Sequence, residues 1–281
     1  MPINILLARS AGFCFGVKRA TRMAFEAAES HDGICSLGPI IHSPQLVKKL
    51  EEKGVVVVDR VNEIPEGAVI IRSHGVTSGE LKEINDRHLE VVDATCPFVK
   101  SAQDHAALLS REGYAVVLVG EREHPEVQGI LSYAESGDVF VVGAAAEAEA
   151  ISRRKRLGLI AQTTQSFETF RQVAAICLDK CQELRIFNTI CDATSVRQDE
   201  AQEIAHRSDL VLVIGGFNSA NTSRLAQICA DIQPRTQHIE TAEQLRKEWF
   251  EGVETVGITA GASTPRWLID EVILGVQKIS N

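Results

Sequence analysis

No stretch of this sequence is long and apolar enough to cross a bilayer, and no secretory signal opens it. The first apolar run, INILLARSAGF, is short and broken by Arg9. A cytoplasmic protein without a membrane anchor is expected. A basic excess is also missing. The formal net charge of −9 over 281 residues argues against a nucleic-acid partner, which needs a positively charged face. The seven cysteines are odd in number and include no close Cys-x-x-Cys pair, so zinc ribbons, thioredoxin-type pairs and a disulfide framework are poor explanations. A reducing cytosol would keep these groups as thiols. No linker rich in Pro, Gly or Ser divides the chain, so its parts are expected to pack tightly.

What the sequence does contain is a repeated pattern: a short Val/Ile/Leu run, a turn with Gly or Thr, then a helical stretch. GVVVVD, AVIIRS, YAVVLVG, DLVLVIGG and TVGITAG are such runs. Nearly continuous apolar strands alternating with helices mark parallel sheets covered on both faces, which places the chain in the α/β class. Its length suits two or three compact units. The run AAAEAEA predicts a surface helix.

Three strand-to-helix turns carry a cysteine: NILLARSAGFCFGV, LEVVDATCPFV and LRIFNTICDAT. Cys14 and Cys96 are 82 residues apart, and Cys96 and Cys191 are 95 apart, each about one small α/β module. The repetition suggests three related modules, each giving one thiol to a shared centre. A thiol at a helix N-terminus is biased toward the thiolate that metals need, and Pro97 suits a first helical turn. Three thiolates without a fourth make a poor closed zinc site but suit an iron–sulfur cluster with one iron left open. The same positions also suit small buried apolar side chains, and spacing alone separates the two only weakly. Cys35 in a strand, Cys177 and Cys181 four apart in one helix, and Cys229 in another helix are read as packing residues.

Polar residues collect at the other strand ends: His42, His74, His124 with Glu126, Thr163 with Thr164, Ser219 with Asn221, and Ser263. In parallel α/β sheets ligands bind beyond the carboxyl ends of strands, where helices begin. Each residue alone has a structural role open to it, as a cap or a packed imidazole. His31, His88, His105, His206 and His238 are given that role. Together the first set, with no Lys and no Walker-type loop, looks like a pocket for a small phosphorylated molecule held by neutral donors and imidazoles. Glu126 beside His124 is placed to pass protons if burial raises its pKa, although first-turn helix charge accounts for it as well.

At this point the segments GFCFGVKRA, GPIIHSPQ, RSHGV, DATCPFV, EHPEVQG, QTT, ICDATSVRQ, NSANTSRL and TAGAS resemble, in order, the motifs of the 4-hydroxy-3-methylbut-2-enyl diphosphate reductase family, also called LytB. The likeness runs from the N-terminus to about Ser263. It implies three small α/β domains with mostly parallel sheets, arranged pseudo-threefold around a cavity. The expected domains are residues 1–96 completed by 265–281, then 97–190, then 191–264. It implies a [4Fe–4S] cluster on Cys14, Cys96 and Cys191, and a diphosphate held by His42, His74, His124, Ser219, the Ala220 N–H, Asn221 and Ser263. Glu126, His124 and Thr163 become the catalytic group. The implied reaction is reductive dehydroxylation to isopentenyl and dimethylallyl diphosphate, with ferredoxin or flavodoxin as electron donor. Phe13 and Phe15 are expected to pack around the cluster. Three departures stand out: Ser43 where Asn is common, Ala220 where Ser or Gly is common, and no Lys-x-His after Cys96, although Lys100 lies one position away. Two rivals from other classes are a cluster-dependent hydro-lyase and an iron–sulfur redox sensor. The lack of a basic face or DNA-binding helix pair weakens the sensor.

Overall fold

The computed structural model describes residues 3–31, 33–135 and 138–280. In chain order the first elements are β1 (Asn4–Leu7), α1 (Phe15–Ser30), β2 (Ile34–Leu37), α2 (Pro44–Glu51), β3 (Val55–Val58), β4 (Ala68–Ile71) and α3 (Ser78–Asp86). Then come β5 (Glu90–Asp93), α4 (Pro97–Arg111), β6 (Ala115–Val119), α5 (Pro125–Ser132), β7 (Val139–Val142), α6 (Ala145–Ala148) and β8 (Arg154–Ala161). The chain ends with α7 (Phe167–Leu178), β9 (Cys181–Ile186), α8 (Asp192–His206), β10 (Leu210–Ile214), α9 (Ala220–Ile232), β11 (Thr236–Ile239), β12 (Thr255–Ala260) and α10 (Arg266–Ser280). The strands form three four-stranded sheets in the orders β1-β12-β10-β11, β3-β2-β4-β5 and β7-β6-β8-β9, and every pairing is parallel.

The chain divides into two compact units. One comprises Met1–Lys18, Ile41–Lys48 and Asp192–Asn281 and holds the sheet β1-β12-β10-β11. Its central strand β10 is buried throughout and is covered on both faces. Leu210, Leu212 and Ile214 join Ile269, Val272 and Val276 of α10, whereas Val211 and Val213 join Ala201, Ala205, Leu225 and Cys229 of α8 and α9. That double cover is why the strand reads as an unbroken apolar run. Asn4 pairs with Thr255 and Leu7 with Ile258, so β1 is bonded to β12 rather than to β2–β5, which share the 1–96 segment with it.

The other unit, Arg19–Ile40 and Lys49–Cys191, holds the remaining two sheets. Strand β6 is likewise split between faces. Val117 and Val119 pack with Phe170, Val173 and Cys177, and Val116 and Leu118 pack with Ala102, Ala106, Leu109 and Ile130. A Cβ on Gly158 of β8 would stand 2.5 Å from Leu109 Cδ2, so α4 lies on the sheet as closely as a glycine permits. In the smaller sheet Cys35, Leu37, Val69 and Ile71 face Val61, Ile64 and Ile84.

Two local readings change. Cys181 is not four residues along a helix from Cys177. Helix α7 stops at Leu178, and Cys181 opens β9, paired with Arg154 of β8. AAAEAEA forms only the single turn α6, with Ala148 buried under the sheet. His238 belongs to the edge strand β11, whose half-exposed TQHI carries no apolar run. Among the described residues no helix is long and apolar enough to cross a membrane.

Candidate active site

Parallel pairing brings the carboxyl ends of a sheet's strands to one edge, and the site residues expected from sequence occupy those ends. In the second unit His74 follows β4, Cys96 follows β5, His124 follows β6, Thr163 follows β8 and Cys191 follows β9. In the first, Cys14 follows β1, Ser219 follows β10 and Ser263 follows β12.

Within the second unit these turns are joined by a continuous series of contacts. The Cys96 N–H donates to the Ser73 carbonyl at 2.9 Å, beside His74. The His74 ring meets that of His124 edge-on, 5.7 Å between centroids. His124 caps α5, its Nδ1 accepting the Glu126 N–H at 3.1 Å. An Nδ1 that accepts cannot carry the proton of a neutral imidazole, so Nε2–H remains as the donor. Glu126, 2% exposed, accepts from the Thr163 N–H at 2.6 Å and from the Thr163 hydroxyl at 2.9 Å. The Thr163 carbonyl in turn accepts the Cys191 N–H at 3.0 Å. Burial raises the Glu126 carboxyl from 4.5 to about 7, against the two Thr163 hydrogen bonds that favour the carboxylate. Desolvation wins, and the group exchanges its proton near neutrality.

Why the chain folds this way here is local. Pro125 at the first helical position misses no hydrogen bond, and it puts Glu126 where the free N–H groups of α5 begin. Cys96 stands at the same place before Pro97 and α4, with no side-chain capping bond of its own.

In the first unit the Cys14 N–H donates to Ala262 at 3.1 Å, and the Val17 N–H approaches Cys14 Sγ at 3.4 Å, as at a helix cap. Ser263 donates to the His42 carbonyl at 3.1 Å, and a Cβ on Gly216 would stand 3.0 Å from that same carbonyl. Ser219 caps α9 by accepting the Thr222 N–H at 3.3 Å. Ala220 opens α9, so its N–H belongs to the turn that makes no intrahelical bond. Asn221 is buried, and its Nδ2 has no hydrogen-bond partner among the described residues.

The departures now have a physical account. Ser43 directly precedes Pro44, the first residue of α2, and its carbonyl accepts from Leu46 and Val47. Ser and Asn are equivalent in that capping place. Lys100 is engaged with Asp93 at 3.1 Å. Sequence reasoning missed Thr222, whose buried side chain fills the space a Cβ would take on Gly261, 1.9 Å from its Oγ1. Gly215, shortly before NSANTS and also closed against Thr222, was the available signal.

Six of the seven cysteines fall into two chemical groups, and Cys181, which opens β9, is half-buried with its thiol raised by burial. Cys14, Cys96 and Cys191 are half-buried at strand ends. Cys35, Cys177 and Cys229 are buried, and desolvation raises their thiols, Cys177 to about 11 and Cys229 to about 12. That set is held as neutral thiol, unsuited to metal. Among the described residues no three His, Cys, Asp or Glu side chains stand together as a metal-ligand group. The expected cysteine set therefore rests on where each thiol lies in its own turn. Phe15 is 67% exposed and Phe13 is half-buried, so Phe13 is the ring of the pair that the chain covers more.

Strand ends that bring imidazoles, a hydroxyl and a carboxyl poised near neutrality together define a class, α/β enzymes equipped for acid–base chemistry. The chain matches the family model described as LytB protein over residues 5–277, and it belongs to that family. It is 66% identical over 278 residues to a protein of Syntrophotalea carbinolica named 4-hydroxy-3-methylbut-2-enyl diphosphate reductase, covering 99% of this chain and 100% of that one. A Geobacter sulfurreducens protein of the same name is 62% identical, with 99% of each chain covered. A solved structure described as (E)-4-hydroxy-3-methyl-but-2-enyl diphosphate reductase, the terminal enzyme of the non-mevalonate pathway, shares 44% identity and a TM-score of 0.72 over 98% of this chain and 99% of that one. The Plasmodium falciparum enzyme's structure, at 24% identity and a TM-score of 0.91, covers 100% of this chain and 89% of its own, and it supports the fold alone.

Proposed function

We propose that this chain reduces 4-hydroxy-3-methylbut-2-enyl diphosphate to isopentenyl and dimethylallyl diphosphate, consuming two electrons and two protons and releasing water. The observation that carries the reading is the buried Glu126–Thr163 pair, a carboxylic acid able to give up a proton at neutral pH in a place closed to water. Glu126 protonates the leaving hydroxyl. The Thr163 hydroxyl, bonded to one oxygen of that acid, steadies it as it ionises. His124, fixed as the Nε2–H form by the Glu126 N–H, donates to the diphosphate. His42, His74, Ser219, Asn221, Ser263 and the Ala220 N–H complete the anion's donors, all neutral or imidazole groups at helix starts.

Cys14, Cys96 and Cys191 would hold the [4Fe–4S] cluster, and their half-buried places at helix starts fit thiolate ligands. When bound, the cluster supplies single electrons and one iron with an open coordination position. Ferredoxin or flavodoxin in the cytoplasm would deliver the electrons.

The test is turnover of oxygen-free protein with reduced viologen and the diphosphate substrate. Viologen oxidation, at two electrons for each isoprenoid diphosphate formed, is expected. A hydrated or dehydrated product without electron uptake would refute the reading in favour of a hydro-lyase.

A further inference from the structure

The turn ahead of Cys14 is gripped by α8. Arg197 and Glu200 lie one turn apart on that helix and so share a face. Arg197, 4% exposed, donates from Nη2 to the Gly12 carbonyl at 2.7 Å and from Nη1 to the Ala193 carbonyl at 2.9 Å. The Glu200 carboxylate accepts both the Ser10 N–H at 2.8 Å and the Ser10 hydroxyl at 2.6 Å. Gly12 has φ +104, and a Cβ there would stand 3.3 Å from Ile269 Cδ1. The carbonyl that Arg197 holds therefore belongs to a backbone conformation that other residues resist.

Arginine is almost never this deeply buried without a specific partner. Helix propensity and solubility would both be served by an exposed lysine. The guanidinium is always charged, and its rigid fork spans two carbonyls at once. Cys14 is two residues beyond Gly12, about 7 Å of chain at most. A buried positive charge held on the turn that leads into Cys14 favours the more negative state of whatever the Cys14 thiolate binds.

We propose that Arg197 is a positioning residue for Cys14. Through the Gly12 carbonyl it fixes the turn that presents the sulfur, and its charge raises the reduction potential of the iron–sulfur centre. Glu200 anchors the same turn two residues earlier. The inference rests on the reading of Cys14 as a cluster ligand.

The experiment compares oxygen-free wild type, Arg197→Lys and Arg197→Met for iron and sulfide per chain, rate of iron loss to a chelator, and midpoint potential. A lower potential in Arg197→Met is expected, with Arg197→Lys close to wild type in potential but quicker to lose iron, because an ammonium lacks the rigid fork that reaches the two carbonyls from separate nitrogens. A potential in Arg197→Met equal to that of wild type overturns the proposal. Should Arg197→Met fail to fold, Arg197→Lys decides: iron loss faster than wild type supports the proposal and an equal rate overturns it. Wild type without any iron–sulfur centre would instead overturn the cysteine assignment.

Discussion

The Glu126 carboxyl should leave a signature in stability that is separate from catalysis. Its pKa is 4.5 in the unfolded chain and about 7 in the folded one, because burial disfavours the charge. Between those values the folded chain holds a proton that the unfolded chain has released. Stability therefore falls as pH rises across the window, and levels off above it. At about 1.36 kcal/mol per unit of pKa, the loss between pH 5 and pH 8 is about 2–3 kcal/mol. Glu126→Gln removes the titration and keeps a carbonyl acceptor for the Thr163 N–H. Whatever constant penalty the amide brings, the stability of the variant relative to wild type should rise by about 2–3 kcal/mol from pH 5 to pH 8. With a urea slope of about 2–3 kcal/mol per molar, the difference between their unfolding midpoints should change by about 1 M. Circular dichroism in urea at the two pH values measures it. Parallel pH dependences in the two proteins would show that Glu126 ionises normally, and the proton-donor argument would lose its physical basis.

The same logic extends to neighbours. Thr163→Val deletes the hydroxyl bond that favours the Glu126 carboxylate and leaves the backbone bond, so the alkaline limb of the activity profile should move to higher pH; an unmoved limb contradicts the pairing. Ser in place of Cys14, Cys96 or Cys191 should abolish or sharply lower iron and sulfide content, while Cys177→Ser or Cys229→Ala should leave it unchanged, and equal loss across both sets would break the division. Gly261→Ala puts a methyl 1.9 Å from Thr222 Oγ1 and should destabilise by about 1–3 kcal/mol, with Thr222→Ala in the same chain recovering most of it. Thermal unfolding of the two single variants and the double variant reads that coupling, and strict additivity would refute the packing account.

The α/β class was legible because central strands such as β6 and β10 are buried on both faces, so no polar position interrupts them. Edge strand β11 was invisible for the opposite reason: half its surface is wet, and TQHI resembles a loop. The pairing of β1 with β12 could not be read either, since parallel partners distant along the chain leave no periodic trace in either segment. At the site, residue types and their strand-end positions were legible. The Glu126–Thr163 bond was not, because the two lie 37 residues apart and meet only through the pairing of β6 with β8.

That pairing also explains why this architecture suits such chemistry. Val119 at the end of β6 lies beside Ala161 at the end of β8, so their following turns are neighbours however long the intervening chain. One turn contributes the acid and the first N–H groups of a helix. The other contributes Thr163, which reaches back to the acid and, through its carbonyl, to Cys191 after the next strand. A change of one residue in sheet register would separate all three. Packing opposes that slip, because it would bring Leu157 or Leu159 to the place of Gly158, where even a Cβ would stand 2.5 Å from Leu109 Cδ2. The apolar core, with no chemistry of its own, therefore sets the distance over which a proton is handled.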